Sequence, residues 1–100
     1  MPNYQLSGSA RLDLFEIADY TVDTRGPEQA NRYLESLVNC FELLAKTPSI
    51  GRSREKIRPG YRRMEHQKHA IFYRFEAQTV LIVRILHQGR MPNLQAFEED

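Results

Sequence analysis

The chain has one cysteine, Cys40, and no tryptophan. A lone thiol cannot cross-link the fold or complete a structural zinc site, so stability must come from packing. Glycine and proline are scarce, five of each in 100 residues, which excludes collagen-like and linker-like composition. No apolar run approaches the ~20 residues of a membrane-spanning helix, and Met1–Leu6 lacks the charged-then-apolar layout of a secretory signal. The expectation is a cytoplasmic protein with no membrane association. With 41% apolar and 27% charged residues, the chain has globular composition, and its length allows a single core.

Charge is balanced in total, at 14 basic against 13 acidic residues, but not in place. Residues 1–47 hold four basic and seven acidic side chains, a net −3, whereas residues 48–97 hold ten basic and three acidic, a net +7. Such a basic half expects an anionic partner, either nucleic acid or an acidic protein segment. The plain alternative is a solvated loop rich in arginine.

Asn3–Ser7 alternates, with Tyr4 and Leu6 on one face, and reads as a short half-buried strand. Ser7 or Ser9 then caps a helix to about Thr24, whose inner stripe is Ala10, Leu14, Ile17, Ala18 and Thr21. A second stripe, Leu12, Phe15 and Val22, predicts that this helix is contacted from two sides. Gly26-Pro27 ends it and opens a second helix to about Lys46, with apolar positions Ala30, Tyr33, Leu34, Leu37, Val38, Phe41, Leu44 and Ala45. The tight connection makes an antiparallel helical hairpin. Residues 48–60 read as a basic surface loop, and Tyr61–His66, Ala70–Phe75 and Thr79–His87 as strands, the last two joined through Glu76-Ala77-Gln78. The order β-α-α-β-β-β predicts an α+β domain, the hairpin packed on one face of a small, mostly antiparallel sheet. Residues 1–91 form the single domain, and 92–100 a C-terminal tail anchored only by Leu94 and Phe97.

Several segments in this order resemble the ParE branch of the RelE/ParE toxins of type II toxin–antitoxin systems. They are Tyr4–Ser7, Leu12–Tyr20, Ala30–Leu34, Leu44–Arg52, Ile57–Arg62, His69–Arg74 and Ile82–Met91. The resemblance covers about residues 3–91. It implies the RelE/ParE-like fold, a toxin held in a hetero-oligomer by a ParD-like antitoxin, and inhibition of DNA gyrase by binding. The antitoxin is then expected on Leu12, Phe15 and Val22, with its acidic residues meeting Arg52, Arg54, Arg58 and Arg62. Arg84, His87, Arg90 and Met91 are the expected target contacts.

Two other readings stay open. The RelE branch cleaves messenger RNA on the ribosome, which requires proton donors and acceptors with cations around the phosphate. Here Arg63, Arg84 and His87 would serve, assisted by Glu55, His69 or Tyr73. Some members of that branch place arginine just before the segment matching Ile71–Tyr73, where this chain has Ala70. The third reading is a non-toxic binding partner or co-repressor. Arg84, inside an apolar strand, is equally a buried partner for an acidic helix residue such as Glu16 or Asp19. His66 and His69, taken as one strand, would leave by opposite faces, and no third ligand joins them, so no metal site and no cofactor are assigned.

Overall fold

A computed structural model describes residues 3–89 and 93–97. Strand β1 (Asn3–Leu6) leads into helix α1 (Gly8–Arg25) and helix α2 (Pro27–Lys46), followed by a 3-10 turn at Pro48–Ile50. Strands β2 (Arg52–Ser53), β3 (Tyr61–His66), β4 (His69–Glu76) and β5 (Thr79–His87) complete the sheet, and Leu94–Phe97 form a final 3-10 turn. The sheet order is β1-β5-β4-β3-β2, with β1 parallel to β5 and the other neighbours antiparallel. The α+β architecture expected from the sequence is therefore present. The predicted basic loop contains two elements the sequence reading lacked, the 3-10 turn and the two-residue edge strand β2, paired as Arg52 to Arg63 and Ser53 to Arg62.

The helical hairpin turns on a single glycine. Gly26 sits at φ 90°, where a side chain is strained; its N–H donates to Val22 at 2.9 Å and its carbonyl accepts from Ala30 at 3.1 Å. It thus closes α1 and opens α2, with Pro27 at the first helical position. At the other end, Ser7 caps α1 by accepting from the Ala10 N–H at 3.0 Å.

The main core lies between the hairpin and the sheet. Ala10 and Ile17 of α1, and Leu37, Cys40, Phe41 and Leu44 of α2, pack on Ile71, Tyr73, Val80, Ile82 and Ile85. Cys40 behaves as a small apolar residue, its thiol pushed above the ordinary range by burial. A second cluster covers the opposite face: Tyr61, Ala70, Phe72, Val83, Leu86 and Phe97. The final turn carries Phe97 onto that face, its ring 4.8 Å from Phe72 and 6.1 Å from Tyr61. This explains why the strands of β4 and β5 are nearly continuous apolar runs.

A bulge in β5 sets the geometry around Arg84. Phe72 pairs with Arg84 and Tyr73 with Ile82, leaving Val83 as the extra residue. Ile82 and Ile85 consequently both enter the main core although an odd separation would oppose them. Beyond Ile82, β5 has lost its neighbour, because β1 ends at Leu6. Side chains continue the ladder there. The Ser7 hydroxyl donates to Val83 at 2.7 Å, and the Ile85 N–H donates to Asp13 Oδ2 at 2.9 Å. Arg84 grips the same carboxylate with Nε at 2.7 Å and Nη2 at 2.8 Å, while its Nη1 donates to the Ala96 carbonyl at 2.8 Å. The acidic partner is Asp13 rather than Glu16 or Asp19, since only Asp13 faces the open edge of β5.

Removing one side of a buried bidentate pair leaves the other charge uncompensated. Asp13→Ala is expected to cost about 3–5 kcal/mol in urea unfolding. Arg84→Lys should recover little of the wild-type stability, because an ammonium cannot make the two-pronged contact.

Candidate functional site

Helix α1 is apolar on both sides, and only one is used by the core. Leu12, Phe15 and Val22 remain 58%, 70% and 42% exposed, in a row formed by steps of three and seven residues. Glu16, Asp19 and Asp23 alternate with them, and Tyr20 flanks the row. Apolar area exposed in a row is the usual chemistry of an interaction surface. The three residues that the sequence places on a second stripe are thus all exposed in this chain.

The basic residues fall elsewhere. Arg52 and Arg54 belong to the β2 edge, three strands from β5, the strand on which α1 rests. At ~4.8 Å per strand that separation is about 14 Å. Arg52 pairs with Glu65. Arg54 donates to the Ser53 carbonyl, Arg62 to those of Gly51 and Ser49, and Arg58 is exposed. The predicted antitoxin contacts thus form two patches, not one.

The residues considered for RNA cleavage are not brought together. Arg63 lies over the Phe72 ring, 5.4 Å from its centre, on the face that Phe97 covers. His87 is paired with His69, whose side chain meets Tyr33 of α2. Phe72 and His69 stand three residues apart on a regular stretch of β4, so Arg63 and His87 point to opposite faces of the sheet. Arg84 is committed to Asp13 and Ala96. Tyr73 is fully buried; its hydroxyl donates to the Pro48 carbonyl at 2.7 Å and accepts from the Gly51 N–H at 2.9 Å, holding the turn before β2. A Cβ at Gly51 would lie 2.5 Å from that hydroxyl and 2.9 Å from the Arg63 carbonyl, which restricts the position to glycine. Glu55 accepts from the Gly60 N–H. Arg90 and Met91 lie outside the described residues.

An open groove of about 620 Å³ runs between α1, the start of α2 and the β3–β4 turn, lined by Glu16, Tyr20, Arg25, Tyr33, Lys68 and His87 among others. His69 also lines it and belongs to a histidine corner that the sequence reading splits between two faces. His66 and His69 are not on one strand; they pair across a two-residue turn, Gln67-Lys68, and so share a face. The turn contains no glycine or asparagine, and Gln67 adopts φ 50° unaided, which removed the usual sequence signal. Tyr33 packs between the two rings, with its hydroxyl 2.6 Å from His69 Nδ1. Ser36 donates its only hydroxyl proton to the Tyr33 carbonyl at 2.6 Å, so the 2.9 Å contact with His66 is made by a protonated Nε2. Among the described residues no group of three or more histidine, cysteine or carboxylate side chains is placed to hold a metal ion.

Burial pushes His69 below the ordinary imidazole range; His87, His66 and Lys68 push in the same direction, and Asp13 opposes them. Burial lowers His66 as well and raises the Tyr33 phenol. Both imidazoles therefore bind protons more weakly folded than unfolded. Their favourable contribution is complete above the unfolded value of 6.5 and is lost as pH falls through the lowered folded values. Unfolding free energy from urea titration is expected to decline below pH 6.5. The decline should be shallower in His69→Gln, which keeps an acceptor for Tyr33.

Residues 4–92 match the family model for the ParE toxin of the type II toxin–antitoxin system parDE. Toxin ParE1 of Mycobacterium tuberculosis (strain CDC 1551 / Oshkosh) is 43% identical over 86 residues, covering 85% of this chain and 88% of that protein. Toxin ParE1 of Caulobacter vibrioides is 40% identical over 89 residues, covering 89% and 92%. Among solved structures, a chain of the chromosomal ParDE system from P. aeruginosa superposes with a TM-score of 0.73 at 26% identity, covering 87% of this chain and 96% of that one. A chain of the RelBE2 toxin–antitoxin complex from Mycobacterium tuberculosis shares the fold, with a TM-score of 0.62 at 23% identity, covering 88% and 100%. The span of the family match and the identity to both relatives lead to one conclusion: the chain belongs to the ParE toxin family of type II toxin–antitoxin systems.

Proposed function

We propose that this ParE-family toxin acts in the cytoplasm by binding DNA gyrase, and that a ParD-like antitoxin neutralises it by covering the outer face of α1. The reading is of a binder, not an enzyme. The observation that carries it is the dispersal of the nuclease candidates: Arg63 and His87 leave by opposite faces, and Arg84 is held in a buried ion pair. A cleavage site needs its proton-transfer and phosphate-holding groups around one reacting atom. Binding has no such requirement.

The exposed row of Leu12, Phe15 and Val22 supports the antitoxin part of the reading. A disordered partner segment that folds into a helix on this stripe would bury apolar area on both sides. A solved structure to which this chain is similar is of a chromosomal ParDE toxin–antitoxin system. On the target side, His87 at the open end of β5, with Arg90 and Met91 after it, is the proposed contact. Arg84, bonded to Asp13 and Ala96, is given a structural role in this reading.

The test is a supercoiling assay with purified gyrase and relaxed plasmid. Inhibition with accumulation of cleaved DNA, relieved by the cognate antitoxin, is the expected outcome; intact supercoiling at several-fold molar excess of toxin would refute the gyrase target. In a parallel titration, Phe15→Asp should weaken antitoxin affinity by about 30-fold, the effect of losing an interface anchor of ~2 kcal/mol. His87→Ala should reduce gyrase inhibition only in part, where loss of a general acid or base would abolish turnover.

A further inference from the structure

Nine described lysine and arginine residues form no ion pair with another described residue, and four of them lie on or beside one loop. Arg52 and Arg63 share Glu65, Arg74 pairs with Glu76 and Arg84 with Asp13. Arg54, Lys56, Arg58 and Arg62, on or beside the connection from β2 to β3, form no ion pair among the described residues. Lys56 and Arg58 are exposed, and Arg54 and Arg62 half-buried. The connection's own acidic side chain, Glu55, is exposed and accepts from the Gly60 N–H at 2.6 Å.

The loop is built rather than slack. The Arg54 N–H donates to Tyr61 at 2.7 Å, the Ile57 N–H to Arg54 at 2.9 Å and the Tyr61 N–H to Arg58 at 3.2 Å. Ile57 packs under the second core cluster, anchoring the middle of the segment. Arg54 and Arg62 are each steadied through Nη1 on backbone carbonyls, which leaves the other prongs of both guanidinium groups for a ligand. Little side-chain entropy remains to be lost on binding an anion.

Two kinds of anionic partner fit a cluster of this sign, and the surroundings favour one. Protein interfaces draw their affinity from apolar anchors buried at the centre. Of the large exposed apolar residues, Leu12, Phe15, Tyr20 and Val22 are on α1 and Leu43 and Leu94 elsewhere; Ile50 and Phe75, one at each end of the loop, are the two that border it. A phosphodiester backbone needs no such anchor, because its affinity comes from charge and counterion release. We propose that the Arg54–Arg62 loop is a sequence-independent contact for the phosphodiester backbone of a nucleic acid. Glu16, Asp19 and Asp23 on α1 repel the same polymer, so the loop meets it first. The site lies at the sheet edge away from β1 and α1, and remains open when the α1 face is covered. It is independent of the gyrase reading, since a chain that ignores gyrase can still hold a backbone.

Fluorescence anisotropy with the purified full chain tests this, using labelled 30-nucleotide duplex DNA and a single-stranded RNA of unrelated sequence between 50 and 200 mM salt. Binding to either polymer is expected. For four phosphate contacts on the duplex, log affinity should fall against log salt with a slope of about −3.6. Arg54→Glu combined with Arg58→Glu should weaken binding at least about tenfold at 50 mM salt and flatten the slope by about 2. Leu12→Asp, on the other surface, should leave binding intact, and circular dichroism would establish that both variants are folded. Preference for one polymer identifies the source of the phosphate. Absence of binding to both at 50 mM salt, indifference to the folded double variant, or tighter binding to polyglutamate than to either nucleic acid would overturn the proposal.

Discussion

One carboxylate holds three parts of this molecule in register. Asp13 receives both prongs of Arg84 and the N–H of Ile85, and Arg84 passes the restraint on to the carbonyl of Ala96. The need arises from a mismatch in length. Strand β1 accompanies β5 only as far as Ile82, while β5 continues to His87. Unpaired backbone at that point would be left half-buried beneath α1 without a donor or acceptor. Ser7 and Asp13 supply both from side chains, so the start of α1 serves as the missing length of strand. The bulge at Val83 immediately precedes Arg84, which pairs with Phe72.

This arrangement limits what the surface can do. The arginine and histidine residues that resemble a phosphate-cleaving set are absorbed by the fold or separated by the sheet, and Tyr73 fastens the Pro48–Gly51 turn. What remains free is of two kinds. The outer side of α1 offers apolar area with acidic residues between, and the β2–β3 loop offers arginine and lysine with little apolar area. Contact surfaces of such different chemistry select different partners, and the sheet holds them apart.

Much of the fold was legible because its signals are local. The 3.6-residue period of α2, the Gly26-Pro27 junction and the apolar runs of β4 and β5 each reside within a few neighbouring residues. The outer stripe of α1 was legible for the same reason. The features that escaped depend on distant parts of the chain. Arg-Ser carries no strand pattern, and β2 exists only because β3 offers an edge. The choice of Asp13 over Glu16 and Asp19 follows from where β1 stops, 71 residues before Arg84 in the case of the pair itself. His66 and His69 share a face because the chain reverses between them in two residues that lack the usual turn chemistry. The separation of Arg63 from His87 requires the register of three strands, and no periodicity encodes it.

Among the described residues the charge segregation seen along the sequence survives folding as a separation in space, acidic side chains on the outer face of α1 and basic ones on the β2–β3 loop, in a molecule whose formal charge is only +1. Its behaviour in a field or near a charged matrix follows the local sign, not the total. A column of either polarity meets a side of complementary sign. A sequence isoelectric point near 7.9 is accordingly a poor guide to its handling.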